Sequence, residues 1–365
     1  MRISTSYGRR TYALKCWRCG LELDTLSTNH TCSRCGEPLF AEVNLGEISR
    51  RGIESLVLRE LKKVTLGEGR TPLIDHGRFL LKLEFLNPTG SFKDRGAALT
   101  ISRALAASWR TVIEDSSGNA GIATAAYSAR AGIKARIYAP ADAPAGKLRL
   151  IKAFGAELRT VKTRDEAHKA ALEDRSGVYV GHVVEPFFIE GIKDVALELV
   201  KSGSEFEVVV VPVASGTLFL GLYKGFKELV ELGHIDEVPT LIPVEACGYS
   251  KLSRYLKSVS LACAEGERSV LADALRLTIV PRLQQIARAA GEVSPYVVTV
   301  GDEAIGESMR ELYSMGLPVE PSCAAVYAAA KYVARDFSGR VVVPLTGSGL
   351  KYVPVPNELI DKYLF

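Results

Sequence analysis

Leu80-Leu81-Lys82-Leu83-Glu84-Phe85, followed one residue later by Asn87-Pro88-Thr89-Gly90-Ser91-Phe92-Lys93-Asp94-Arg95-Gly96, decides the fold. The first run has the apolar density of a strand. Pro88, Thr89 and Gly90 then break it, and Ser91 stands where an N-cap precedes the apolar-periodic run Phe92 to Leu105, so the spacing predicts a helix there. Strand, tight turn and helix follow one another within about two dozen residues, the repeating unit of an α/β protein. Lys93 falls in the first helical turn. An amine is nucleophilic only when deprotonated, and burial or a neighbouring cation lowers its pKa towards that state. An ordinary capped helix with a solvated lysine explains the same letters, so this segment alone assigns no chemistry.

The same alternation extends along the chain. Val112-Ile113-Glu114 precedes a predicted helix over Ala120 to Ala131, and Ala135-Arg136-Ile137-Tyr138 precedes one over Gly146 to Phe154. Glu207 to Val211 leads into Leu218 to Leu232, and Leu241 to Val244 follows as a strand. Later, Val297 to Val300 leads into Glu303 to Met315, Ser322 to Ala334 is helical, and Val341 to Val343 is a strand. Strands alternating with helices argue for parallel sheets covered by helices, an α/β fold. Phe40 to Arg70 is a connector with one amphipathic stretch, Ile53 to Val64.

With 365 residues the chain can bury a sizeable core, in two main domains and an appendage. A net charge of +4 is too small and too evenly spread to suit nucleic acid. No run of about 18 apolar residues is present and Met1 to Ser6 lacks a leader's apolar stretch, so a cytoplasmic protein with no membrane partner is expected. Two Gln and five Asn are few, a shortage of labile amides compatible with a thermophilic source.

Four of the seven cysteines are paired in the sequence. Cys16-Trp17-Arg18-Cys19 and Cys32-Ser33-Arg34-Cys35 are matched CxxC knuckles, each followed by a glycine, Gly20 or Gly36, that lets the chain turn towards the sulfurs. Four thiolates leave no open position on a tetrahedral ion, so a structural rather than catalytic zinc is predicted at Cys16, Cys19, Cys32 and Cys35. His30 is nearby but surplus. Cys247, Cys263 and Cys323 are expected to be small apolar core residues.

Four ordered segments carry a resemblance. They are the decapeptide around Lys93, Ser116-Ser117-Gly118-Asn119-Ala120-Gly121, Val213-Ala214-Ser215-Gly216-Thr217, and Thr346-Gly347-Ser348-Gly349-Leu350-Lys351. Taken singly they have plain explanations: helix capping for the serine loop, a strand-to-helix turn for Val213 to Thr217, and a satisfied core hydroxyl for Thr346. Together, over roughly residues 65 to 352, they resemble the threonine synthases and their fold type II relatives that use pyridoxal phosphate. The resemblance implies that Lys93 binds the cofactor covalently and moves protons at the substrate. It further implies that Asn119 bonds the cofactor's ring oxygen, that Ala214, Ser215, Gly216 and Thr217 cradle its phosphate, and that Thr346 faces its ring nitrogen. A hydroxyl there does not force that nitrogen to be protonated, which favours elimination and replacement over transamination. Ser116, Ser117, Gly118 and Ala120 would hold the α-carboxylate of a small amino-acid substrate.

The resemblance also implies a homodimer with three parts in each chain: a zinc ribbon over 11–40, a smaller domain over 78–185 carrying Lys93 and the serine loop, and a larger domain over 46–77 and 186–365 carrying the phosphate loop. The expected reaction is conversion of O-phosphohomoserine and water to threonine and phosphate. In one segment, Glu185-Pro186-Phe187-Phe188-Ile189-Glu190-Gly191, the chain departs from the family, placing Glu185 and Phe188 where an Asn and an Arg would contact the substrate phosphate. That task then falls to Lys82, Lys147, Arg149 or Lys193. Otherwise the reaction is β-elimination or β-replacement on serine, threonine or O-phosphoserine.

Overall fold

The computed structural model describes residues 12–46, 48, 64–141 and 143–352. The stretch Ile53 to Val64 lies outside them except for Val64. Chain order begins β1 (Tyr12–Lys15), β2 (Glu22–Leu23), β3 (Phe40–Val43), β4 (Leu73–His76), β5 (Phe79–Lys82), α1 (Lys93–Ala106), β6 (Thr111–Glu114), α2 (Asn119–Ala131) and β7 (Lys134–Pro140). It continues α3 (Ala145–Ala153), β8 (Glu157–Val161), α4 (Arg164–Glu173), β9 (Val178–Tyr179), α5 (Pro186–Ile192), α6 (Asp194–Lys201), β10 (Val208–Pro212) and α7 (Thr217–Glu231). The remaining elements are β11 (Thr240–Ala246), β12 (Ser258–Leu261), α8 (Leu283–Val293), β13 (Val297–Val300), α9 (Asp302–Ser314), α10 (Pro321–Val333) and β14 (Val341–Pro344).

These elements form two units. The first comprises the described residues up to Glu68, Asn87–Gly191 and the residues from Leu350; the second is Gly69–Leu86 with Ile192–Gly349. In the first unit, β2-β1-β3 make a small antiparallel sheet, and β8-β7-β6-β9 a parallel one. The second unit carries a seven-stranded sheet in the order β12-β13-β11-β10-β14-β5-β4, parallel except where β4 runs against β5. Val208 to Val211 are all fully buried, as expected for a central strand of a parallel sheet with both faces covered. The α2 helix ends at Gly132, whose φ of 68° is left-handed, and Ile133 N then bonds back to Ser128 O.

Three local expectations need correction. The run Leu80 to Phe85 leaves the sheet after Lys82, because Leu83 N turns to Pro72 O and Phe85 N to Leu345 O, and Glu84–Leu86 form a 3₁₀ turn. Ser91 is not the cap of α1; Phe92 occupies that position and no side chain caps the helix. The turn is stapled instead by Asp94, whose carboxylate accepts from Thr89 N at 2.6 Å and from the Thr89 hydroxyl. Finally, Cys247 and Cys263 are joined in a disulfide with Cα atoms 5.9 Å apart. They follow β11 and β12, which flank β13, so the two strand ends converge past Val300 and Gly301. Cys323 is fully buried, as expected of a small core residue.

Candidate active site

Lys93 opens α1 and is buried among aromatic rings, its Nζ 4.7 Å from the centroid of Phe92 and 5.5 Å from that of Phe188. Burial pushes the amine down to about 7, against an opposing pull from the Glu114 carboxylate. Glu114, at the end of β6, is itself fully buried and held well above the ordinary carboxylate range by desolvation and by its neighbour Asp115. It accepts from His182 N at 3.1 Å and lies 3.1 Å from His182 Nδ1. Burial, with Lys93 and Arg164 adding repulsion, holds that imidazole well below its usual pKa, so it is neutral near pH 7. Glu114 thus opposes the desolvation of Lys93 and His182 is bonded to Glu114, and sequence reading missed both: a glutamate ending a strand and a lone histidine carry no local signature.

The serine loop is tightly wound between β6 and α2. A Cβ on Gly121 would lie 1.9 Å from Ser116 O, so only glycine fits, and Gly118 N bonds Ser116 Oγ at 3.3 Å. Ser117 and Ala120 are buried, while Ser116, Gly118 and Asn119 are half-buried. No side chain caps α2. Lys351 Nζ donates to Gly90 O at 2.9 Å and to Asn119 Oδ1, which orients the Asn119 amide and joins the Lys93 turn to the serine loop. Gly146 packs where a Cβ would stand 2.6 Å from Lys351 O, bringing the start of α3 to the same place. Lys147 is buried in the first turn of that helix, and Arg149 is half-buried beside it. Within the first unit the structure therefore gathers Lys93, Asn119, Lys351 and the segment of Lys147.

In the second unit, Val213 and Ala214 leave β10 and Gly216 caps α7 with φ 75°. A Cβ at Gly216 would sit 2.1 Å from Ile286 Cδ1, so the position is closed to other residues on steric as well as conformational grounds. Ser215 and Thr217 are buried with hydroxyls 3.3 Å apart, at a helix start that has no side-chain cap. Thr346 is buried next to Cys323, its Oγ1 3.5 Å from that Sγ, and Gly347 N donates to the same sulfur at 3.3 Å. Two expected cations are engaged elsewhere. Lys193 Nζ is fully buried and donates to Glu228 at 2.6 Å; Lys82 Nζ donates to Glu198 and to Thr71 O, each at 2.6 Å.

Glu185 is equally committed. Arg103 Nη1 donates to both its oxygens, at 2.7 and 2.9 Å, and His30 Nδ1 lies 2.8 Å away. Burial works to raise this carboxyl, but Arg103 and His30 overcome it and hold it at about 2. His30 is therefore a contact of Glu185 rather than a spare metal ligand.

Cys16, Cys19, Cys32 and Cys35 converge so that their sulfurs all lie within 4.8 Å of one another. The separations Cys16 to Cys35, Cys19 to Cys32 and Cys19 to Cys35 are 3.5, 3.4 and 3.9 Å. A tetrahedral zinc with bonds of about 2.3 Å spaces its sulfurs at about 3.8 Å, so the donor set fits that ion. Gly20 and Gly36, with φ of 72° and 74°, close the two knuckles, their amides bonding Cys16 O and Cys32 O.

A profile of the pyridoxal-phosphate dependent enzyme family matches residues 64–347. A threonine synthase of Methanosarcina acetivorans is 30% identical over 96% of this chain and 94% of its own length. One from Halalkalibacterium halodurans is 33% identical over 84% of this chain and 89% of its own. Among solved structures, a threonine deaminase from T.th. aligns with a TM-score of 0.67 and 27% identity, covering 81% of this chain and 99% of that one.

Proposed function

Since the chain belongs to the pyridoxal-phosphate dependent enzyme family, we propose that it is a threonine synthase, converting O-phosphohomoserine and water to threonine and phosphate. The observation that carries this reading is Lys93, a buried amine held at about 7 at the head of α1. The residues suit the cofactor: a helix start closed by Gly216 and lined by buried Ser215 and Thr217 suits a phosphate, and Lys93 suits an aldehyde. Pyridoxal phosphate, when bound, supplies an electron sink that acidifies the substrate carbons next to the amino group.

In this scheme Lys93, freed as an amine, takes the proton from Cα and then one from Cβ. The Cγ–O bond breaks and phosphate leaves with the electron pair. Lys93 returns a proton to Cγ and to Cα, and water adds through its oxygen to Cβ, giving up a proton in turn. Asn119, oriented by Lys351, and Thr346, braced by Cys323, orient the ring; Ser117 and the amides about Gly118 and Ala120 orient the carboxylate. Lys147 and Arg149 hold the leaving phosphate, because Lys193 and Lys82 are tied to Glu228 and Glu198. The cysteine cluster carries a structural zinc, and the protein works in the cytoplasm as a homodimer.

Phe188 favours a second reading. An aromatic ring over Lys93, and a Glu185 already neutralised by Arg103, offer nothing to a phosphate dianion and suit elimination or replacement on serine, threonine or O-phosphoserine. A product assay with O-phosphohomoserine, O-phosphoserine, threonine and serine in parallel decides between them. Threonine and phosphate are expected from O-phosphohomoserine alone. Turnover of the other three without it gives the second reading.

A further inference from the structure

Helix α5 is held from two sides within the first unit. On the ribbon side, the Tyr12 hydroxyl donates to Glu190 Oε1 at 2.8 Å and the Tyr12 ring lies 5.7 Å from that of Phe187. His30 meets Glu185 just before the helix, and Arg103, which grips Glu185, also donates from Nε to Thr25 O at 2.8 Å and from Nη2 to Ser27 O. One guanidinium thus ties the ribbon loop, α1 and the entry to α5 together. On the other side, α5 lies directly on the first turns of α1. A Cβ on Gly96 would stand 2.4 Å from the Phe188 ring, and one on Gly191 2.3 Å from Arg95 O. The two helices are in close contact here, and the Phe188 ring is seated over the α1 turn that carries Lys93.

We propose that Glu185 and Arg103 are positioning residues through which the N-terminal ribbon fixes Phe188 over the Lys93 amine, and that Phe188 keeps water off that amine. The segment that departs from the family pattern then has a task of its own: in place of a phosphate contact it couples the ribbon to the reactive lysine. The proposal rests on Lys93 being the cofactor lysine, and its test needs neither cofactor nor substrate. Glu114 on β6 and His182 in the loop before α5 are the titratable groups that face the amine, and both remain in the variants used.

Cofactor-free full-length protein is labelled with trace acetic anhydride across pH, and acetylation of Lys93 is compared by mass spectrometry with that of exposed Lys134. In the parent the Lys93 midpoint is expected near 7. Glu185→Gln and His30→Gln should both raise it by about one pH unit as water reaches the amine, with Lys134 unchanged. Parent-like midpoints in both variants overturn the proposal. So does a shift that Lys134 shares, which marks general loosening, and so does a shift in Glu185→Gln alone, which removes the ribbon from the coupling. If Glu185→Gln does not fold, His30→Gln decides by itself. Mapping the reduced cofactor adduct by mass spectrometry tests the identity of the cofactor lysine separately.

Discussion

Lys93 costs the folded chain stability for as long as it must be charged. Its amine takes up a proton at about 7 when folded, whereas an unfolded lysine does so near 10.5. Between those values the unfolded chain holds the extra proton, so this group makes stability rise with pH across that window, and its full penalty applies below about 7. Replacing Lys93 by Met in the cofactor-free protein should therefore stabilise it at pH 6 by on the order of 3–5 kcal/mol, with the gain shrinking towards pH 10. Denaturant unfolding at the two pH values measures it, and an equal gain at both would show that the amine is not desolvated. The place of Lys93 at the head of a helix was legible in the sequence because its turn is written in Pro88, Thr89 and Gly90. The residues that tune it were not. Glu185 meets Arg103 across 82 positions, and His182 meets Glu114 across 68, and no local pattern encodes such a pairing.

Among the elements, those announced by apolar runs and glycine turns, apart from Leu80 to Phe85, are found within a residue or two of their predicted ends. The predicted helix over Leu218 to Leu232 is α7 over Thr217–Glu231, and the strand over Val297 to Val300 is β13 unchanged. What escaped was shaped by position in the sheet: β8 lies at an edge, and its Glu157 and Arg159 interrupt any apolar run. The disulfide escaped for a related reason, since only the order β12-β13-β11 brings Cys247 and Cys263 together. The α7 start makes its own prediction. Gly216→Ala must place an L-residue at φ 75° and push its Cβ into Ile286. Strain and overpacking together should cost roughly 2–4 kcal/mol. If this loop cradles the cofactor phosphate as proposed, cofactor titration should show at least tenfold weaker binding; undiminished affinity would remove the loop from the cofactor site.

At the scale of the whole molecule, the bonds named for the ribbon stay within the first unit: Tyr12 to Glu190, His30 to Glu185, and Arg103 to Thr25 and Ser27. The ribbon itself is a sheet of three short strands with few apolar residues to bury, so a fold that depends on an ion held by the four sulfurs is expected. Metal analysis should give near one zinc per chain, lost in Cys16→Ser. Hydrogen exchange after that loss should rise first in β1 to β3 and then in α5 and the start of α1, because these share the Arg103 and Glu185 contacts. The seven-stranded sheet of the second unit, with Val208 to Val211 fully buried at its centre, should keep its protection. Retained metal in Cys16→Ser would remove the zinc site. Exchange rising equally in β10 and β14 would show that the ribbon supports the entire chain rather than the unit that carries Lys93.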